Sequence, residues 1–346
     1  MKLGLIPAEF SGRYTIDMAL VREAEDLGFD SVWTSESWGN DAVTPASWML
    51  ALTTRLKVGT AIMQMPSRTP AMAAMTAMTL HDLSGGRFIL GIGPSGPQVI
   101  EGWHGVPFGK PIARTREYID IVRAILARET PLEHDGAHYQ IPYRGAGATG
   151  LGKPLRSIMH GDPALKIYTA AITPAGLRVA AEKADGVFPI FMDPEKFNVL
   201  ETPLNEGFAA AGHGKTLDNF DLAPFVAIQV GNDLDACRLP IKQNMALYIG
   251  GMGARDKNFY NDYAGKLGYE AAAAKIQDLF LAGKRADAVA AVPDSLVDAV
   301  ALVGPRERIV ERLSVWKDAA ARGQVTTLVA RRPSREAMRI LAETLL

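Results

Sequence analysis

The sequence predicts an α/β fold: a closed (β/α)8 TIM barrel carrying insertions. Three observations predict it. Short apolar runs alternate with helical patterns along the 346-residue chain. The runs lack polar alternation, as expected of parallel strands with both faces covered. They number eight, which fits a closed barrel better than an open sheet.

The elements follow in order. Strand one is "LGLIP" (3–7). Ile16, Leu20, Ala24 and Leu27 then share one helical face over 15–27, and Gly28 stops that helix. "SVWTSE" (31–36) is strand two, followed by a helix near 44–54. "LKVGTAI" (56–62) is strand three, and Thr69-Pro70 opens the next helix with proline at a tolerated first-turn position. "RFILGIG" (87–93) is strand four, and the helix over 113–128 turns Tyr118, Val122 and Ile125 inward. "KIYTAAI" (166–172) with a helix from Pro174 is the fifth unit, "GVFPIF" (186–191) with 194–211 the sixth, and "LAPFVAIQV" (222–230) with 233–248 the seventh. A helix at 305–320, with Ile309, Leu313 and Trp316 in register, leads into strand eight, "TTLVAR" (326–331). Two segments stand outside the repeat. Residues 129–165 are rich in Gly and Pro, and "EHDGAHYQI" reads as a hairpin turning at Asp135-Gly136. Residues 250–300 hold an extra helical stretch, "YEAAAAKIQDLFLAG". Both are read as insertions on one barrel domain spanning 1–346.

Composition narrows the function. The chain is 48% apolar with a net charge of −1 and no long run of one sign, which argues against nucleic acid or an acidic membrane as partner. The single cysteine, Cys237, excludes an intramolecular disulfide and a cysteine metal cluster. The N-terminus lacks a signal-peptide pattern and no window is long and apolar enough to span a bilayer, so a cytoplasmic protein is expected.

Several motifs invite over-reading. Gly91, Gly93 and Gly96 spell G-x-G-x-x-G after a strand, the dinucleotide fingerprint. That fingerprint needs a helix to start at once beside the pyrophosphate. Here Pro94, Pro97, Gly102, Gly105, Pro107, Gly109 and Pro111 make a continuous helix improbable, and the unit is the fourth. In a barrel this loop leaves the C-terminal end of strand four, where barrel active sites lie. Its small residues either let a flat ligand approach the backbone or permit a tight turn. "GATGLGKP" (147–154) and "GHGKT" (212–216) fall short of a P-loop, and "PSGP" is not a nucleophile elbow. His134 and His138 straddle a turn with no third ligand evident, so no metal site is expected. Met72, Met75 and Met78 read as core packing.

The strand ends give the candidate pocket. Strand two supplies Glu36, Ser37 and Trp38. Strand three ends in "TAIMQMPSR". Strand four leads into Ser95, Gly96, Gln98, Trp103 and His104, strand five into Ile172 and Thr173, and strand six into Pro189, Ile190 and Phe191. The lining is apolar and aromatic with few charges, which suits a large flat cofactor. Thr173-Pro174 is either an ordinary helix cap or one whose free N–H groups hold a phosphate.

"GFDSVWTSESWG", "LKVGTAIMQMPSRTPAMAAMTAMTLHDLSGGRFILGIG", "IYTAAITPAGLRVAAEKADG" and "GPRERIVERL" resemble the luciferase-like flavin and deazaflavin oxidoreductases. "SGPQVIEGWHGVPFGKPIARTREY" and "GGMGARDKNFYNDYAGKLGYE" are most similar to the bacterial subgroup using coenzyme F420. The resemblance implies a barrel with insertions, a homodimer, and a ring system at the C-terminal mouth. It implies a bulge after strand three, often with a non-prolyl cis peptide, near Ala61, Ile62 and Met63, with Gln64 following. Ser95, Gly96, Pro97 and Gln98 would flank the ring edge, Ile172 and Thr173 the phosphate, and Ile190 and Phe191 the pocket border. Glu36 and Ser37 join the cofactor-facing set. One departure stands out: relatives often carry His directly after the acidic residue of strand two, and this chain has Ser37. Trp38, Glu101, Trp103 and His104 are then the nearby candidates to pack on substrate or move a proton.

These readings predict hydride transfer between C5 of a deazaflavin and a small organic substrate. The rivals are an FMN-dependent two-component monooxygenase, a barrel enzyme without a redox cofactor, and a non-catalytic deazaflavin-binding protein.

Overall fold

Side chains alternate across each strand, so inward and outward residues build two separate apolar regions. In the computed structural model, one region lies between the strands and their covering helices, and the other fills the lumen. The structure describes all residues except 8, 11, 254, 256 and 257, and the side chains of Glu9 and Phe10 are also outside the description.

Strand one is Lys2–Ile6, strand two Ser31–Thr34, strand three Lys57–Thr60, strand four Phe88–Gly93 and strand five Ile167–Ala170. Strand six is Gly186–Phe188, strand seven Phe225–Val230 and strand eight Thr327–Arg331. All pair in parallel, in the order six, five, four, three, two, one, eight, seven. Asp221–Leu222, just ahead of strand seven, pairs with strand six, and a parallel bridge from Ile190 to Phe225 closes the ring.

Trp33, Tyr168 and Phe188 plug the lumen, with ring centroids 4.9–5.6 Å apart. Glycines opposite make room for them. A Cβ on Gly59 would lie 2.3 Å from the Trp33 ring, and one on Gly91 would lie 1.7 Å from the Thr60 carbonyl oxygen and 2.9 Å from the Phe188 ring. Gly91 is therefore a packing glycine. In the strand-four loop the left-handed residues are Ser95, at φ 59°, and later Gly105 and Gly109, whereas none of Gly91, Gly93 and Gly96 has a positive φ.

Helix starts follow the sequence signals. Thr69 and Thr173 each cap a helix that begins with proline, Pro70–Leu83 and Pro174–Lys183. Tyr118, Val122 and Ile125 are buried on helix Pro111–Ala127, as their spacing requires. His134–Asp135 and Gln140–Ile141 form the expected hairpin, and Glu117 accepts the backbone N–H groups of its turn.

Some expectations need correction. The strand-four loop does contain a helix, Pro97–Gly102, although it ends at once and the next helix waits until Pro111. Helix Leu234–Gly251 follows strand seven and touches it, as expected of the seventh unit, and it packs as well with Glu270–Leu281 and Arg285–Ala290 of the insertion. A short strand, Leu302–Gly304, pairs with the end of strand seven and leads into helix Arg306–Ala321. Met78 is core, but Met72 and Met75 are more than half exposed. A final helix, Arg335–Leu345, follows strand eight. Among the described residues no helix is long and apolar enough to cross a membrane.

Candidate active site

Parallel strands bring all their C-terminal ends to one mouth. Strand three breaks there after Thr60 and resumes at Met63–Gln64, pairing again with Ile92 and Gly93. Between lies a cis Ala61–Ile62 peptide, at the expected bulge. The Thr60 hydroxyl spans the break: it donates to the Gly91 carbonyl at 2.6 Å and accepts the Gly91 N–H at 3.0 Å. Ile62 lies over Gly93, where a Cβ would come within 2.9 Å of it. Ile62, Ala170 and Phe225 are partly exposed and rest on the lumen plug, forming an apolar floor to the mouth.

A polar network secures one wall. Arg68 Nη1 donates to both Glu36 oxygens, at 2.7 and 2.8 Å, and the Glu36 side chain is 6% exposed. Glu36 also accepts the Gln64 N–H at 3.3 Å. The buried Gln64 side chain donates Nε2 to the carbonyls of Glu36 and Ser37, at 3.3 Å each. That orientation leaves its Oε1 as an acceptor, 2.8 Å from His104 Nε2. With an acceptor there, Nε2 carries a proton, and Nδ1 takes no part in this contact. Below the network, the Tyr118 hydroxyl lies 3.3 Å from the Arg68 carbonyl, and burial drives its pKa strongly upward.

The other sequence candidates fall as follows. Ser95, Gly96 and Pro97 are partly exposed and Gln98 exposed on the strand-four loop. Glu101 is exposed and accepts the Phe108 N–H at 3.2 Å. Trp38 and Trp103 are 57% and 65% exposed. Ile172 and Thr173 are partly exposed past strand five, and the Thr173 hydroxyl accepts the Gly176 N–H at 3.1 Å. Ile190 is partly exposed, whereas Phe191 is buried with its ring edge-on to Tyr248, 5.8 Å away.

Sequence reasoning missed three residues here. Arg68 is the counter-ion of Glu36. Arg331 ends strand eight, and Tyr248, on helix Leu234–Gly251, packs edge-on against Phe191. The available signal for Arg331 was a charge at the end of an otherwise apolar strand.

The chain has known relatives. Residues 7–323 match the luciferase-like monooxygenase family. The chain is 42% identical over 344 residues to a Mycobacterium tuberculosis protein provisionally named a coenzyme F420-dependent oxidoreductase, covering 99% of this chain and 98% of that one. It is 29% identical to the 5,10-methylenetetrahydromethanopterin reductase of Archaeoglobus fulgidus, over 90% of this chain and 88% of that one. The coenzyme F420-dependent tetrahydromethanopterin reductase of Methanopyrus kandleri shares the fold with a TM-score of 0.76 and 22% identity, over 99% of this chain and 97% of that one. The chain belongs to the luciferase-like monooxygenase family.

Proposed function

We propose that this member of the luciferase-like monooxygenase family is a coenzyme F420-dependent oxidoreductase, passing a hydride between deazaflavin C5 and a small organic substrate at the barrel mouth. The 42% identity with the mycobacterial relative carries the choice of cofactor. The apolar floor of Ile62, Ala170 and Phe225 supports the place.

The residues present fit the group. A flat conjugated ring needs an apolar surface without bulky side chains, and the floor beside Gly93 and Gly96 offers one. A phosphate needs backbone donors; in the first turn after Thr173, Pro174 has no N–H and those of Gly176 and Leu177 already go to Thr173, so the turn offers the Ala175 N–H. When bound, the deazaflavin supplies or takes the hydride, and the protein supplies position, a dry floor and a proton. Ile62 and Phe225 exclude water from the inner side. Gln64 holds the His104 ring through Nε2, so any proton that His104 moves passes through Nδ1. Glu101 is the second proton candidate. Ser37 has no imidazole to offer, so this wall has no proton carrier at that position.

Titration of the protein with oxidised F420 and with FMN, followed by fluorescence, tests the reading. Tight F420 and weak FMN binding is the expected result. Preference for FMN, with oxygen consumed when reduced FMN is supplied, would replace it with the monooxygenase reading. Unimpaired turnover in both His104→Ala and Glu101→Gln would remove the two proton candidates.

We also propose a homodimer. Trp48, Met72 and Met75, on helices Val43–Leu52 and Pro70–Leu83, are 59%, 54% and 56% exposed, a poor exchange with water for a monomer. Light scattering should give twice the chain mass for the wild type and a monomer for Trp48→Asp.

A further inference from the structure

Arg331 is the last residue of strand eight, and it faces the mouth. Inward positions alternate along that strand, and Val329, two residues earlier, belongs to the lumen cluster with Ile6, Trp33 and Phe188. In register, Arg331 sits beside Ile6 of strand one and Ala227 of strand seven. Helix Leu234–Gly251 and the insertion both approach it. Its Nη1 lies 3.4 Å from Asn244 Oδ1, a long contact, and Tyr248 and Tyr260 stand close enough to influence its charge. The two tyrosine rings pack edge to face, 4.7 Å apart.

What Arg331 lacks is an anion. Two other arginines of this fold are well paired. Arg87 donates to the carbonyls of Leu50, Thr53, Leu56 and Ser84, and Arg238 pairs with Asp294 and Asp298. Among the described residues no carboxylate pairs with Arg331, and the charged neighbour that bears on it is another cation, Arg332. Burial pulls the Arg331 guanidinium below its ordinary value. Arg331 is partly exposed, so its guanidinium, held by one long side-chain contact, is open to a ligand in the mouth, and its planar fork matches a carboxylate.

We propose that Arg331, flanked by Tyr248 and Tyr260, anchors the carboxylate of a small planar organic anion, which is the substrate class of this mouth. The inference rests on the reading that the mouth is the reaction site. The cofactor's own phosphate is the other available anion, but its expected seat after Thr173 follows strand five, three strands around the ring from strand eight. The rings of Tyr248 and Tyr260 suit a flat body on the anion.

Benzoate and benzamide, alike in size and different in charge, are the probes, titrated calorimetrically into F420-loaded and F420-free protein. Wild type should bind benzoate at least about tenfold more tightly than benzamide, as expected when one partner of the hydrogen bonds is charged. Arg331→Met should lose that preference, Arg331→Lys should keep part of it, and the F420 affinity of Arg331→Met should stay unchanged. Equal binding of the two probes to wild type overturns the proposal, and this comparison needs no variant to fold. A retained preference in Arg331→Met also overturns it. Loss of F420 affinity in Arg331→Met, with benzoate binding intact, would assign the residue to the cofactor and overturn the substrate assignment. If wild type failed to bind F420 but kept its benzoate preference, the cofactor reading would fall and the anion anchor would stand.

Discussion

Replacing Arg68 with methionine would leave the Glu36 carboxylate in the mouth wall without its counter-ion. That carboxylate is 6% exposed, and Arg68 Nη1 bridges both its oxygens at 2.7 and 2.8 Å. Removing one partner of a buried pair costs about 3–5 kcal/mol, because the remaining charge stays desolvated. The lower end applies here. Arg68 is itself 19% exposed, so water can enter its place, and the Gln64 N–H still faces Glu36 at 3.3 Å. An unfolding entropy of about 2 cal/mol/K per residue gives roughly 0.7 kcal/mol/K for this chain, so about 3 kcal/mol lowers Tm by about 4 °C. Glu36→Gln alone should cost less, since the stranded Arg68 reaches solvent. The double variant should recover at least about 1 kcal/mol relative to the sum of the singles. Differential scanning calorimetry of the four proteins reads all of this. A melt of Arg68→Met within a degree of wild type, or strictly additive losses, would refute the claim that the pair holds this wall.

Two further predictions follow from packing and titration. Gly59→Ala would drive a methyl to 2.3 Å from the Trp33 ring and should cost about 1–3 kcal/mol, with Trp33→Phe recovering part of it in a thermal melt of the double variant. Burial pulls the Lys215 ammonium down to about 8, while its Nζ donates to the Ala184 carbonyl. Between about 8 and the ordinary lysine value, the unfolded chain holds a proton that the folded chain has lost, so stability rises with pH across that window. Lys215→Met should therefore melt above wild type at pH 7 and lose that advantage towards pH 10. Parallel curves would contradict it.

The barrel was legible in the sequence because its strands are short and apolar throughout, as at Phe88–Gly93, and because Thr-Pro pairs mark helix starts at Thr69 and Thr173. Periodicity placed Leu234–Gly251 after strand seven but does not say what else a helix packs on, so its contacts with the insertion helices were not legible. Leu302–Gly304 is three residues long, too short to carry a pattern. Pro97–Gly102 is a helix where glycine and proline density suggests none, because Pro97 takes the first turn and Gly102 the last. The Ala61–Ile62 bulge was legible only through family resemblance, since nothing local in "GTAIMQ" announces it. The hydrogen bonds joining Glu36, Arg68, Gln64 and His104 connect residues up to 40 positions apart, beyond any local spacing rule.

The aromatic plug of Trp33, Tyr168 and Phe188 turns the mouth into a blind alley. Whatever settles on Ile62, Ala170 and Phe225 must come in through the same opening as its reaction partner, and it lies beneath that partner once both are in place. Steady-state turnover should then follow a compulsory order. The molecule on the floor arrives first and departs last, and excess of the second reactant traps it there as a dead-end complex.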